Sequence, residues 1–161
     1  MITIGVLTIS DGAARGERQD LSGARIRSLV EQLPEAVVRV SAIVPDELPQ
    51  IAAILREWSD QQQLNLVFTT GGTGLAPRDV TPEATRTVLE REAPGIAEAM
   101  RAISLQHTRM AMLSRGLAGV RGRTLIINLP GSPKAVQECL EYILPTLPHA
   151  INLLTEGPAE H

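Results

Sequence analysis

The sequence predicts an α/β fold in which a mostly parallel central sheet is covered by helices on both faces, a three-layer αβα arrangement. Short apolar runs alternate with amphipathic helical patterns in the order β-α-β-α-β-α. This alternation predicts parallel strands joined by right-handed crossovers. Polar or glycine-rich residues follow each apolar run, at the strand ends where open α/β sheets bind ligands.

The first half of the chain contains three predicted strands and two predicted helices. The strands are the runs MITIGVLTI at 1–9, AVVRVSAIV at 36–44 and LNLVFTT at 64–70. Their β-branched, apolar composition is typical of buried strands. Apolar residues between Ile26 and Leu33 have helical spacing and stop at Pro34, and a second helix is marked by the apolar positions from Ile51 to Trp58.

A glycine-rich loop follows the third predicted strand and leads into a helix that starts at Thr81. Thr81 is expected to be the N-cap and Pro82 the first helical residue. Glu83 adds an acid in the first turn, where the helix dipole favours negative charge. A further helix is expected from about Gly95 to Gln106.

The segment after this helix predicts a small β-hairpin, because the runs LAGV and RTLIIN are separated at Arg121-Gly122. The last helix is expected to begin with Ser132 as N-cap and Pro133 as first helical residue. Pro145 and Pro148 are expected to break or kink it. No repeat or linker interrupts the sequence, so a single domain over residues 1–161 is expected.

Composition excludes several classes of function. The formal net charge is −3 and only 2% of the residues are aromatic, which disfavours nucleic-acid binding. Cys139, the single cysteine, excludes an internal disulfide and is expected in the core. His107, His149 and His161 lack metal-ligand spacing. No signal-peptide pattern or apolar run of ~20 residues occurs, so a cytoplasmic location and no membrane partner are expected.

The loop TTGGTG at 69–74 matches neither common nucleotide-binding motif. The chain has no Walker A sequence, and Pro77 occupies the position of the last glycine in a dinucleotide-binding fingerprint. Closely spaced glycines still allow backbone N–H groups to approach an anion. A tight turn after a strand is the other interpretation, and the loop alone does not decide between them.

Two aspartates follow neighbouring predicted strands. Asp79 lies shortly after the glycines, and Asp46 follows the second strand. Mg²⁺ commonly binds one or two carboxylates together with substrate phosphate oxygens, so the pair predicts a metal-phosphate site. Each aspartate could instead be a solvated or capping turn residue. Likewise, Ser132 and Lys134 at a helix start indicate either an anion site or an ordinary capped helix.

Several spaced motifs together resemble the Mog/MoaB family of molybdenum cofactor biosynthesis proteins, and the resemblance covers essentially the whole chain. These motifs are Ile9-Ser10-Asp11, Pro45-Asp46-Glu47, TTGGTG at 69–74, RDVTPEAT at 78–85, Pro94-Gly95, Ser114-Arg115 and NLPGSPK at 128–134. The resemblance implies the αβα fold of that family and a homotrimer that makes transient contact with the molybdate-insertion enzyme.

The same resemblance implies a molybdopterin adenylyltransferase, which transfers AMP from Mg-ATP to the terminal phosphate of molybdopterin and releases pyrophosphate. Asp46 and Asp79 are the implied catalytic and Mg²⁺-binding residues. The implied substrate-binding residues are Ser10, Asp11, Gly71, Gly72, Thr73, Gly74, Ser114, Arg115, Pro130, Gly131, Ser132 and Lys134.

The main alternative is a MoaB-type protein that binds molybdopterin without catalysis. The length of the chain is closer to that branch, whereas RDVTPEAT and Pro45-Asp46-Glu47 favour the active branch. A different enzyme on the same fold is a second alternative, but related domains of that kind normally belong to longer chains. The sequence leaves open whether the assembly is a trimer or a hexamer, which metal binds, and which loop holds pterin and which adenine.

Overall fold

A six-stranded sheet in the order β2-β1-β3-β6-β5-β4 forms the centre of the molecule. The computed structural model describes residues 1–157. The strands are β1 Ile2–Ile9, β2 Ala36–Val44, β3 Leu66–Thr70, β4 Arg91–Glu92, β5 Ala118–Arg121 and β6 Thr124–Leu129. Strands β2, β1, β3 and β6 run parallel, and β5 and β4 add an antiparallel edge. The predicted mostly parallel sheet is therefore confirmed.

Helices cover both faces of this sheet. The α-helices are α1 Asp11–Ala14, α2 Leu21–Val30, α3 Leu48–Arg56, α4 Thr81–Val88, α5 Pro94–Leu105, α6 Pro133–Ile143 and α7 Leu147–Glu156. A π-helical turn, Glu57–Gln61, and two 3₁₀ segments, Arg109–Leu113 and Leu144–Thr146, complete them. One core packs α2, α5, α6 and α7 against the sheet, and the other packs α3 and α4. The αβα prediction is confirmed.

The central strands are mostly apolar because they are buried on both faces. On β1, Ile4 and Val6 contribute to one core, whereas Leu7 and Ile9 contribute to the other. This alternation follows from the two-residue period of a strand. It explains why these segments appear in the sequence as continuous apolar runs.

Most predicted elements occur where they were expected. The second strand has the predicted bounds 36–44, and the β5–β6 hairpin turns at Gly122, whose φ is +58°. Ser132 caps α6, since its Oγ accepts a hydrogen bond from the Ala135 N–H at 3.2 Å. Cys139 is buried, as predicted. Pro145 and Pro148 lie where the 3₁₀ segment and α7 separate from α6, so the predicted break is confirmed.

The predicted N-cap of α4 is wrong. Thr81 is the first helical residue, and the cap position belongs to Val80, which makes no side-chain capping bond. The Thr81 hydroxyl instead donates to the carbonyl oxygen of Gly71 at 2.9 Å. The hydroxyl serves a long-range contact with the glycine loop, which local sequence does not reveal.

No helix among residues 1–157 is long and apolar enough to span a membrane. The C-terminal residue His161 lies outside the described residues.

We expect Gly5→Ala to destabilise the fold by about 1–3 kcal/mol, because an added methyl group overfills a packed core. A Cβ at Gly5 would lie 2.7 Å from Trp58 Cε3 and 2.8 Å from Leu64 Cδ1. Urea unfolding measures the loss. The double variant Gly5→Ala/Leu64→Ala should lose less than the sum of its single changes, since the shortened side chain makes room. Additive losses would contradict this packing.

Candidate active site

The carboxyl ends of β1 and β2 are joined by a reciprocal pair of hydrogen bonds. The Asp11 N–H donates to Asp46 Oδ2 at 2.9 Å, and the Asp46 N–H donates to Asp11 Oδ1 at 3.0 Å. Just before these bonds along the chain, the Ser10 N–H donates to the Val44 carbonyl at 2.9 Å. The two loops that carry predicted site residues are thereby held side by side.

Arg78 attaches the loop after β3 to the same two loops. Its guanidinium donates to both carboxylate oxygens of Asp11, at 3.0 and 2.9 Å, and to Glu47 Oε1 at 3.0 Å. The bonds from Arg78 lower the pKa of Asp11. Because Arg78 is half exposed, with 55% of its side chain accessible, water weakens these ion pairs and their effect is mainly geometric. A direct contact of Asp11 with substrate remains a prediction.

The glycine loop passes too close to its neighbours for any other residue. Gly71 has φ +98°, and a Cβ on it would lie 2.2 Å from the Ile9 carbonyl oxygen. Gly72 has φ +70°, and its Cβ would lie 2.3 Å from Thr81 Oγ1. The Thr81 N–H also donates to the Gly72 carbonyl at 3.1 Å. The start of α4 therefore fixes the path of the loop.

Arg115 fixes the far side of the glycine loop. Its Nε donates to the Gly74 carbonyl at 2.8 Å and its Nη2 to the Asp79 carbonyl at 2.7 Å, while Nη1 pairs with Glu83 Oε2 at 2.6 Å. The Arg115 N–H donates to the Thr73 carbonyl at 2.8 Å. The structure thus gives Arg115 a positioning role, and the predicted substrate contact of this residue stays untested.

Asp46 and Asp79 both lie beside the glycine loop. Asp46 Oδ1 lies 3.0 Å from the position that a Cβ of Gly72 would occupy, and Asp79 Oδ2 lies equally close to that of Gly74. Burial raises the pKa of Asp46, and the negative charges of Asp11 and Asp79 also raise it. The hydrogen bond from the Asp11 N–H lowers this pKa, but the net shift is upward. A carboxylate whose charge is disfavoured by burial and by neighbouring negative charge is one that a bound cation would stabilise.

The loop after β6 is held by hydroxyl groups. Thr70 Oγ1 donates to the Pro130 carbonyl and Ser22 Oγ to the Gly131 carbonyl, each at 2.6 Å. A Cβ on Gly131 would lie 3.6 Å from the Cα of Gly71, so this loop and the glycine loop are in contact. The two predicted phosphate-binding segments therefore border one crevice.

Asn128 anchors this loop from the buried end of β6. Its amide NH₂ donates to Thr69 Oγ1 and Thr85 Oγ1, both at 3.0 Å, and its Oδ1 accepts the Leu117 N–H at 3.0 Å. These bonds satisfy a side chain that is only 2% exposed. They tie β3, α4 and the segment before β5 to the strand that leads into the site.

Two cavities open from the crevice and meet at Gly72, Asp79 and Gly131. Cavity A encloses about 440 Å³, and residues on its walls include Ala97, Met100, Met110, Leu113, Ser114 and Glu138. Cavity B encloses about 290 Å³, and its walls include Ser10, Arg18, Asp20, Ser22, Asp46 and Gly71. Cavity A is therefore largely apolar beyond the junction, whereas cavity B is polar.

The predicted site residues are distributed unequally between the cavities. Thr73, Gly74, Ser114, Pro130 and Ser132 line cavity A, and Ser10, Asp46 and Gly71 line cavity B. Asp11, Arg115 and Lys134 belong to neither set of lining residues in the described part of the chain.

The charged wall residues that the sequence patterns missed include Arg18 in cavity B and Glu138 in cavity A. Arg18 lies in a polar segment without periodicity. On α6, the apolar spacing identifies Val136 and Leu140 as buried positions and gives no indication for Glu138. Neither residue carries a motif, and only the packing of the loops and helices places them in the site.

A match to a known family accounts for this arrangement. The sequence profile described as "Probable molybdopterin binding domain" matches residues 5–149. The chain belongs to this family. The resemblance that was inferred from the sequence motifs is confirmed.

Relatives of this molybdopterin-binding domain include named enzymes. The molybdopterin adenylyltransferase of Helicobacter pylori strain J99 is 46% identical over 154 residues, 95% of this chain and 88% of that protein. The protein of the same name from Escherichia coli K12 is 42% identical over 173 residues, 98% of this chain and 87% of that protein. The Drosophila melanogaster protein cinnamon is 49% identical, but the match spans only 26% of its length.

Solved structures agree on the fold of the molybdopterin-binding domain. The molybdopterin biosynthesis enzyme MoaB from Thermus thermophilus superposes with a TM-score of 0.92 at 56% identity, over 99% of this chain and 100% of that one. A Mog protein from Mycobacterium ulcerans gives a TM-score of 0.87 at 35% identity, over 96% of this chain and 100% of that one.

Gly71→Ala should destabilise the protein more than Gly16→Ala, although both glycines have positive φ. A Cβ at Gly16 meets nothing within 4 Å, so its replacement carries only backbone strain of about 1 kcal/mol. A Cβ at Gly71 also overlaps the Ile9 backbone, which adds a further ~1–3 kcal/mol or more. Chemical denaturation of both variants measures the difference, and equal losses would contradict the close approach of the loop.

Asp46→Asn should stabilise the metal-free protein at pH 7. Burial raises the pKa of Asp46, so the folded state is favoured by protonation and loses stability as the pH rises through that pKa. The gain should disappear below the ordinary pKa of an aspartate, where wild-type Asp46 is neutral in both states. Urea unfolding at several pH values measures it, with the exposed Glu57→Gln as control. A variant less stable than wild type at pH 7 would contradict this assignment.

Proposed function

We propose that this protein is a molybdopterin adenylyltransferase that transfers AMP from Mg-ATP to the terminal phosphate of molybdopterin and releases pyrophosphate. The observation that carries the proposal is the placement of Asp46 and Asp79 beside the glycine loop, with Asp79 where the two cavities meet. Molybdopterin adenylyltransferases that are 42–46% identical over most of both chains support it.

Two adjoining cavities fit a reaction between two substrates. A terminal phosphate oxygen of molybdopterin attacks the α-phosphorus of ATP, and the bond from that phosphorus to the pyrophosphate oxygen breaks. Both reacting groups carry phosphates, so they must meet where backbone N–H groups and cations are concentrated. The junction at Gly72, Asp79 and Gly131 is the place at which a ligand in cavity A can touch one in cavity B.

Asp79 at the junction and Asp46 in the adjoining cavity B fit Mg²⁺ if the substrates complete its coordination. Within the part of the chain that the structure describes, no group of three or more His, Cys, Asp or Glu side chains could hold a metal. Mg²⁺ commonly binds only one or two carboxylates together with phosphate oxygens and water. Asp46 and Asp79 would hold it. Burial and neighbouring negative charge raise the pKa of Asp46, and a bound cation would lower it again. When bound, Mg²⁺ neutralises charge on the reacting phosphates.

The side chains of the protein contribute positioning and charge. A phosphate is already a nucleophilic oxyanion, so the reaction needs no general base, and rate enhancement comes from orientation and electrostatic stabilisation. The amides of Gly71–Gly74 face the phosphates, and Arg18 is the one cationic side chain among the described residues that line cavity B. Lys134, in the first turn of α6, adds positive charge near the helix N-terminus.

The alternative of a non-catalytic, molybdopterin-binding MoaB-type protein is less favoured. Such a protein needs a pterin pocket but not a second, polar cavity beside two carboxylates. Asp46 lines that second cavity and Asp79 lines both, and Asp79 is held in place through its carbonyl by Arg115. The adenylyltransferase therefore explains more of the site.

We also propose a homotrimer in the cytoplasm that hands its product to the molybdate-insertion enzyme by transient contact. The family resemblance is the support for this assembly and location. Exposed apolar side chains at Leu75 and Met112 are available for contact with another chain. No nucleic-acid or membrane partner is proposed.

Asp79→Ala should lower adenylyl transfer at least about 100-fold, because a carboxylate that holds the metal at the reacting phosphates acts mainly in the transition state. Molybdopterin binding should persist, since the walls of cavity A away from the junction are unchanged. Pyrophosphate release from ATP in the presence of molybdopterin measures the reaction, and equilibrium binding measures the substrate.

Glu98→Gln is the matched control, because Glu98 lies on the exposed face of α5 and should keep full activity. An Asp79→Ala variant with wild-type turnover would reject the metal-site assignment. A wild-type protein that binds molybdopterin but releases no pyrophosphate would reject the adenylyltransferase and leave the binding protein.

A further inference from the structure

Cavity A contains a second carboxylate, away from the junction of the two cavities. Among the described residues that line this cavity, the carboxylates are Asp79 at the junction and Glu138 on α6. Only 14% of the Glu138 side chain is exposed, and the surrounding wall includes the apolar residues Met100 and Leu113. A poorly hydrated carboxylate in such a wall gains most from a ligand that donates hydrogen bonds to it.

The position of Glu138 along α6 defines its distance from the junction. Ser132 caps the helix next to Gly131, and Glu138 lies six residues further along. Six residues of α-helix correspond to a rise of about 9 Å. A ligand whose phosphate lies at the junction can therefore present a bicyclic ring to Glu138 through a short linker.

The ion-pair neighbour of Glu138, His107, lies too far away for a hydrogen bond. His107 Nδ1 lies 3.6 Å from Glu138 Oε1, beyond ordinary hydrogen-bond length, and 45% of the His107 side chain is exposed. Arg101, which also lines cavity A, donates to the carbonyls of Ser114 and Gly116, so its charge is directed at the backbone. Glu138 is thus a charged acceptor on the wall of cavity A.

The two heterocycles of the proposed reaction differ in what they present to a carboxylate. The 2-amino-4-oxopyrimidine ring of a pterin has two adjacent donors, the 2-amino group and N3–H, which match the two oxygens of one carboxylate. Adenine has an exocyclic amino group beside a ring nitrogen that is an acceptor. The lone pair of that nitrogen would face a carboxylate oxygen, which is repulsive.

We propose that Glu138 is a specificity-determining residue for molybdopterin, and that its carboxylate binds the N2–H and N3–H donor pair of the pterin. The inference rests on the proposed function, because it assumes that one substrate is a pterin phosphate. It does not depend on AMP transfer. The polar lining of cavity B, with Arg18, Asp46 and Ser10, suits a triphosphate.

A pair of fluorescent probes tests this assignment. One is 6-hydroxymethylpterin monophosphate, and the other is 6-hydroxymethyllumazine monophosphate, in which a carbonyl replaces the 2-amino group. Wild-type protein should bind the pterin at least about 10-fold more tightly, because the lumazine carbonyl faces a carboxylate oxygen. In Glu138→Gln, the amide offers one acceptor and one donor, which match N3–H and the carbonyl of the lumazine. The preference should therefore fall by about 10- to 100-fold or reverse.

Glu141→Gln is the matched control, since Glu141 lies one turn further along α6, on its exposed face. This variant should retain the wild-type preference, and ATP binding should be unchanged in both variants. An unchanged preference in Glu138→Gln, no preference in wild type, or no binding of either probe to wild type would overturn the inference.

The same experiment separates the inference from the proposed function. A switch in probe preference without pyrophosphate release rejects adenylyl transfer and keeps the role of Glu138. Pyrophosphate release with no change in preference keeps the transfer reaction and rejects the role of Glu138. Thermal unfolding of each variant identifies any loss of binding that results from misfolding.

Discussion

The close packing of the glycine loop against the end of β1 is the contact on which the rest of the site depends. Gly71 lies so near the Ile9 carbonyl that a Cβ there would approach it to 2.2 Å. This approach directs the loop across the carboxyl edge of the sheet, where Thr81 holds it from α4. Asp79 then emerges between two cavities. A bulkier residue at position 71 would displace the loop and every group it carries.

Much of the positive charge near the site serves to position negative charge. Arg78 joins three loops through Asp11 and Glu47, and Arg115 holds Gly74 and the Asp79 carbonyl. Asp46 is left in a half-buried position where its charge is disfavoured. The free protein therefore retains an unfavourable interaction that a bound cation and substrate can relieve. Such sites often lower stability in exchange for function.

The αβα architecture provides the two cavities from different layers. Cavity B lies among loops that end the parallel strands, the usual location of ligands in open α/β sheets. Cavity A is completed by α5, α6 and the 3₁₀ segment Arg109–Leu113 on one face of the sheet. The loops supply peptide N–H groups and carboxylates, while the helices supply an apolar wall. One crevice can thus hold a phosphate-rich ligand and a flat ring together.

The layer order, the second strand, the hairpin and the Ser132 cap could be predicted from the sequence, because each follows from local periodicity or local capping. Motif resemblance also selected Asp46, Asp79 and the glycine loop, which the structure brings to one edge of the sheet. Only the tertiary structure decided that Thr81 bonds to Gly71 rather than capping its helix, and that Arg115 holds the loop. It also placed Glu138 in cavity A. The partners of these side chains lie on other elements, and a helical pattern records which face is buried but not which cavity it borders.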